Sequence, residues 1–206
     1  MDCSHTVLYG SPYTSVWKMA TRSGKTLLTR EDWARAALGV IAERGVAGVT
    51  IDELAKRLRA TRGSFYWHYQ SREELIKAAV QLWARESTTD RLPELEAIAD
   101  PVKRLRALLR SVYQEPAGAA ELMLSTAGDD PLVAPVFADI TRQRMNALRR
   151  IFTGLGMTPS EAADRAWLAY AFYIGHHQLR KNTEIAARRP TSLGRMARLL
   201  TGGLTQ

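Results

Sequence analysis

The residues best suited to reading a nucleic acid lie in one stretch, residues 50–72, with the sequence TIDELAKRLRATRGSFYWHYQSR. Arg62 carries a planar fork of donors that matches the O6 and N7 acceptors of guanine, and Thr61 and Ser64 beside it carry hydroxyls that reach a base edge or a phosphate. Gly63 and Ser64 are weak helix formers, each costing up to about 1 kcal/mol relative to Ala. A helix that keeps them in its first turn leaves its backbone room to approach a base pair. Thr61, Arg62, Gly63 and Ser64 are therefore expected at bases. Tyr66, His68 and Arg72 supply an O–H, an N–H and a cation where phosphate oxygens would run, and Thr50 and Trp67 complete that phosphate set. From Ala55 to Arg72 there are five Lys/Arg residues and no acid. The competing reading is a short basic helix on a solvated face, with Phe65, Trp67 and Tyr69 as core.

Such side chains need helices to aim them. Ile51, Leu54, Ala55 and Leu58 repeat at helical spacing. Thr50 caps that helix, and Glu53 three residues on completes a capping box. Arg59 and Ala60 leave room only for a turn. Thr61 caps a second helix over 62–69, and Ser71 with Glu74 forms a further capping box. Two short helices about a tight turn, the second basic and aromatic, make a helix-turn-helix pattern. Before it, Trp33, Ala36, Ala37, Val40 and Ile41 line one face of a helix over 29–44, which Gly45 stops. After it, Leu75, Ala79, Leu82 and Trp83 mark a helix over 72–88 that links this head to the remaining chain.

Residues 28–83 resemble the DNA-binding region of the TetR family of bacterial one-component regulators. The likeness rests on Ile51-Asp52-Glu53-Leu54-Ala55, on Phe65-Tyr66-Trp67-His68-Tyr69, and on Ser71-Arg72-Glu73-Glu74-Leu75. One feature departs: the family's turn usually carries Gly and then a β-branched residue, whereas Arg59-Ala60 stands here. Arg59 must then accept a left-handed backbone, at a cost of order 1 kcal/mol. The resemblance implies a homodimeric repressor whose two recognition helices enter successive major grooves of a palindromic operator in double-stranded DNA. It also implies release by a small-molecule effector bound in the second domain, through a change in the tilt of the linking helix.

The chain has 206 residues, 46% of them hydrophobic, enough for one large or two small domains. Its net charge of +8, with a pI near 9.9, favours an anionic partner. No apolar run approaches the ~20 residues that span a bilayer, and no secretory signal is convincing, so no membrane association and a cytoplasmic location are expected. The single Cys3 excludes an internal disulfide and a cysteine-based zinc cluster. Residues 1–27 lack helical period and read as a disordered basic arm, with Arg22 and Lys25 assigned to phosphate or the minor groove. Met19 opens a second plausible start, and the first eighteen residues are either an upstream extension or a true part of the protein.

Beyond Leu92, Asp100-Pro101, Asp130-Pro131 and Thr158-Pro159 each set a capping side chain before a proline. They mark helices near 101–114, 131–153 and 159–181, with shorter ones near 118–127 and 192–202. The expected fold is all-α: residues 28–73 as a three-helix helix-turn-helix head, and 74–206 as a larger helical ligand-binding and dimerisation domain. Candidate pocket walls are Trp83, Leu109, Tyr113, Leu122, Met123, Phe137, Met145, Trp167, Tyr170 and His177, which also fit a plain core. The apolar helix over 160–181 needs burial on more than one side. Ala163, Trp167, Tyr170, Ala171, Ile174 and Gly175 on it, with Leu193, Met196, Leu199 and Leu200 on the last helix, are candidates for a two-fold interface. His176 and His177 point about 100° apart on a helix and do not chelate one ion easily, so no metal and no cofactor are expected. Without paired carboxylates, a nucleophile set or a phosphate loop, an enzyme on a helical bundle is the weaker alternative. A non-specific nucleic-acid binder, salt-sensitive but without sequence preference, is the other rival.

Overall fold

The computed structural model describes residues 27–114, 119–179 and 193–202. The basic arm over 1–26 lies outside them. The described residues are all-α, as the sequence implies. The head holds α1 (Arg30–Arg44), α2 (Ile51–Arg57) and α3 (Arg62–Tyr66), and α4 (Arg72–Ala84) leads out of it. The body holds α5 (Leu92–Glu96), α6 (Pro101–Gln114), α7 (Ala119–Thr126), α8 (Ala134–Gly154), α9 (Pro159–Leu179) and α10 (Leu193–Thr201). None of the described helices is long and apolar enough to cross a membrane.

Capping sets the helix starts. Thr29 and Asp32 form a reciprocal box at α1, with the Thr29 backbone N–H donating to Asp32 Oδ2 at 2.7 Å. The two boxes expected at Thr50 and Ser71 form only their first half. Thr50 Oγ1 accepts the Glu53 N–H at 3.3 Å and Ser71 Oγ accepts the Glu74 N–H at 3.1 Å. The reciprocal arms are diverted by arginines: Glu53 pairs with Arg57 at 2.7 Å and Arg44 at 3.0 Å, and Glu74 takes Arg30 and the Gln70 N–H. A charged donor binds a carboxylate more strongly than a neutral backbone amide does.

The turn after α2 is closed by two reverse bonds: Ala60 N–H to Ala55 O at 2.8 Å and Arg59 N–H to Lys56 O at 3.2 Å. This is the Schellman arrangement, which demands a left-handed residue just past the cap. Arg59 fills it at φ 52°, the one non-glycine positive φ among the described residues.

Two apolar clusters hold the chain. The first runs from Trp33, Leu38 and Ile41 through Phe65, Tyr69, Leu75 and Trp83 to Ala120, Leu124, Val133 and Ile140, so head and body share one core. α1 packs against both α4 and α7. The second gathers Leu105, Leu109, Ile151, Phe152, Ala166 and Leu200. α8 and α9 lie along one another, and α10 rests on α6.

Three boundaries differ from expectation. α3 ends at Tyr66, because Tyr69 must turn back to α1. α8 begins at Ala134: Asp130 accepts the Leu132 N–H at 2.8 Å and makes residues 130–133 a turn. α5 is a helix the pattern did not predict: it carries no capping side chain, only Pro93 in its first turn. The Asp100 and Thr158 caps form as expected.

Candidate nucleic-acid interface

α3 has one buried anchor and an otherwise outward surface. Phe65 is fully buried, edge-on to Trp33 with ring centroids 5.5 Å apart, and stacked on Tyr69 at 6.0 Å. Around it Thr61, Arg62 and Gly63 are exposed and Ser64 is half-buried. Thr61 Oγ1 caps the helix by accepting the Ser64 N–H at 3.1 Å. Arg62 leans on Asp52 of α2, Nε to Oδ1 at 3.4 Å, and that pair is exposed enough to be worth less than about 1 kcal/mol. A Cβ at Gly63 would meet only Thr61 Oγ1 at 3.6 Å, an ordinary contact. Space within the fold therefore does not require glycine there.

Past α3 the aromatic run divides by position. Tyr66 is 55% exposed and Trp67 89%, so Trp67 is not core. Tyr69 turns inward; its hydroxyl donates to Arg30 O at 2.8 Å, and the Arg30 guanidinium lies 4.3 Å from its ring centroid. Burial pushes the Tyr69 phenol up, so it remains an O–H donor. Arg30 also donates to His68 O at 2.8 Å and pairs with Glu74. α3 is thus fastened to the starts of α1 and α4, while Tyr66 and Trp67 stay outside with half-buried His68 beside them.

One phosphate candidate has another task. Arg72 donates Nε to Val49 O at 2.6 Å and Nη2 to Val46 O at 2.8 Å. Its fork holds the turn between α1 and α2, so two of its donors are engaged within the head. Arg57 is likewise committed, to Glu43 at 2.6 Å and to Glu53 at 2.7 Å. Of the five cations in the stretch, Lys56, Arg59 and Arg62 remain on the surface. Thr50 is exposed at the foot of α2.

The body places its candidates differently from the expected pocket. Trp83 stacks on Phe137 with centroids 5.7 Å apart and belongs, with Met123, to the first core. Leu122 and Leu109 are buried, and Met145 and Tyr170 pack on the second core. Trp167 projects outward at 67% exposure. Ala171 is exposed beside it, and Ala163, Ile174 and Gly175 are half-buried. On α10, Leu199 is exposed and Leu200 buried, so Leu200 serves its own core and Leu199 the surface. The side chains of Tyr113, His176, His177, Leu193 and Met196 lie outside the described ones. Among the described residues no group of three His, Cys, Asp or Glu could hold a metal.

What occupies the middle of the body is a polar knot. Glu121 of α7, with a side chain 5% exposed, pairs with Arg144 of α8, 14% exposed. It accepts Arg144 Nη2 at 3.2 Å and the Tyr173 hydroxyl of α9 at 2.6 Å. Arg144 Nε donates to Thr88 Oγ1 at 2.8 Å and Nη2 to Ser87 Oγ at 3.3 Å. Ser87 and Thr88 belong to a single π-helical stretch, Arg85–Thr89, that prolongs α4. The guanidinium lies 5.3 Å from the Tyr173 centroid and 5.7 Å from that of Trp83. Burial alone would lower the Arg144 pKa, but Glu121 outweighs it and keeps the charge. Burial raises the Tyr173 phenol as well. The only mark of this knot in the sequence is one Glu in the otherwise uncharged α7.

Comparison with known proteins agrees with the head. The model for "Bacterial regulatory proteins, tetR family" matches residues 34–79. The HTH-type transcriptional regulator TtgR of Pseudomonas putida is 34% identical over 88 residues, 42% of either chain, so the match spans under half of that relative's length. Two crystal structures share the whole fold. A transcriptional regulator from Rhodococcus sp. Rha1 has a TM-score of 0.70 and 22% identity, over 86% of this chain and 96% of that one. Escherichia coli NemR in its reduced form has 0.69 and 19%, over 85% and 96%. The head thus matches the tetR family of bacterial regulatory proteins in sequence over residues 34–79, and the remaining helices are similar to those two regulators in fold.

Proposed function

We propose that the protein is a homodimeric, sequence-specific DNA-binding repressor, released from its operator by a small molecule. The observation that carries this is the outer edge of α3, where Arg62, Gly63 and the hydroxyls beside them face outward from a single buried anchor, Phe65. Such an edge fits the major groove, where each base pair shows a distinct donor and acceptor pattern. Thr61, Arg62, Gly63 and Ser64 read bases. Thr50, Tyr66, Trp67 and His68 set register on the backbone, and Arg72 holds the loop behind them.

A second copy is supported by the apolar surface that α9 and α10 leave open, with Trp167, Leu168, Leu179 and Leu199 all exposed. A symmetric pair there would hold two recognition helices at one spacing, so half-sites would sit about one helical turn or a multiple apart. The non-specific rival has nothing to favour it beyond net charge.

The test is selection from a pool of random duplexes with the purified chain, followed by sequencing. Enrichment of an inverted repeat supports the reading, and Arg62→Ala should relax preference at one symmetric position. An unenriched pool would overturn it.

A further inference from the structure

The knot around Arg144 is more than folding needs. Taking a carboxylate and a guanidinium out of water costs several kcal/mol per ion in general, and apolar replacements of such pairs are often as stable. The surroundings have one chemical character: the buried Glu121 carboxylate, the Tyr173 hydroxyl bonded to it, and the ring faces of Trp83 and Tyr173. A carboxylate with aromatic faces recognises organic cations, and an anion would meet like charge and the negative side of two rings. The cation now there belongs to the chain itself. Beside it a groove of about 440 Å³ opens between the π-helical stretch and α8, lined by Arg85, Thr89, Val136, Asp139 and Ile140 among others. Thr89 adjoins Thr88, which holds Arg144, and Ile140 lies one turn before Arg144 on the same face of α8. The long Arg144 side chain thus has open space within a helical turn.

We propose that Glu121, Trp83 and Tyr173 form a seat for an organic cation of the amidinium or quaternary ammonium type, which the chain keeps filled with Arg144, and that the effector binds by displacing that guanidinium into the groove. The exchange has a mechanical consequence. Arg144 is what ties the stretch prolonging α4 to α8, and α4 is the route out of the head. Once displaced, Arg144 releases Thr88 and Ser87, while Glu121 on α7, the helix packed against α1, stays neutralised by the ligand. One head attachment is loosened and the other kept. This consequence for DNA rests on the proposed repressor function; the seat itself does not.

The test is calorimetry on the full chain with three matched probes: benzamidinium, neutral benzamide and anionic benzoate. The wild-type chain should bind benzamidinium alone of the three, weakly, because the ligand competes with Arg144. Arg144→Gln vacates the seat and should tighten benzamidinium at least tenfold, whereas Glu121→Gln should abolish binding. A plain structural ion pair predicts no gain in affinity from deleting its own arginine. Preference for benzoate, equal affinity in wild type and Arg144→Gln, or binding that survives Glu121→Gln would overturn the proposal. If circular dichroism shows that Arg144→Gln does not fold, thermal melting of the wild-type chain decides. Benzamidinium should raise its midpoint where benzamide and benzoate do not, and three equal responses would overturn the seat. Benzamidinium binding without loss of DNA affinity would support the seat and overturn the regulatory reading. DNA binding without any cation response would overturn the seat alone.

Discussion

The head and the body use charged residues in opposite ways. Along α3, Arg62 and the exposed Tyr66 and Trp67 face outward, held by a few buried contacts behind them: Phe65 on Trp33, Tyr69 on Arg30, and Arg72 on two carbonyls. In the body, Glu121, Arg144 and Tyr173 face inward and satisfy one another. A surface that must meet an outside partner leaves its polar groups without strong internal bonds, and a junction that must hold helices together saturates them. Removing a residue from the first should cost binding and spare the fold, and removing one from the second should cost the fold.

The largest expected effect tests the body. Glu121→Ala leaves the Arg144 guanidinium buried without its counter-charge, and should cost about 3–5 kcal/mol of folding stability in urea unfolding. Glu121→Leu combined with Arg144→Met should recover most of it. A loss below about 1 kcal/mol would mean that water already reaches the pair and that the contrast is false. Next comes the head. Arg62→Ala should weaken binding to the selected duplex by about 1–3 kcal/mol and relax one base preference, with the melting midpoint unchanged. Gly63→Ala should sharpen the division further: up to about 1 kcal/mol more stable as a helix, yet weaker on DNA. If both stability and DNA affinity rise together, no partner approaches Gly63. At the turn, Arg59→Gly should stabilise the head by about 1 kcal/mol, since glycine carries no penalty at positive φ.

The smallest effect concerns pH. The Arg57 guanidinium, hydrogen-bonded to Glu43, holds that carboxyl below the usual range. A depressed folded pKa adds stability above the unfolded value, near 4.3, and that stability is lost as pH falls through the folded one. Glu43 is half exposed, so screening limits the gain to a few tenths of a kcal/mol. Glu43→Gln should lower stability at pH 7 by that amount and leave it unchanged in strong acid, so that the acid limb of the stability curve flattens.

The same contrast explains what could be read in advance. The head's signals are local: Thr50, Thr61 and Ser71 cap helices that begin one residue later, and the left-handed Arg59 follows from a two-residue turn. Signals failed where a charge chose a distant partner. Glu53 and Glu74 gave up the reciprocal half of their boxes to arginines, and Arg72 spent its fork on Val46 and Val49, more than twenty positions away. The knot was beyond reach for that reason. Arg144 meets Thr88, Glu121 and Tyr173 only after the fold has formed, and none shares a helix or a short spacing with it. The aromatic residues taken as pocket walls, Trp83 and Phe137, give no sign in sequence that they stack on each other.

Base reading by the outer edge of α3 is the proposal on which the rest depends. It is tested most directly by titrating the wild-type chain with a selected duplex and its scrambled counterpart, at two salt concentrations. A preference of at least about a thousandfold for the selected duplex is expected, kept at the higher salt while both affinities fall. Equal affinities, falling together as salt rises, would contradict it.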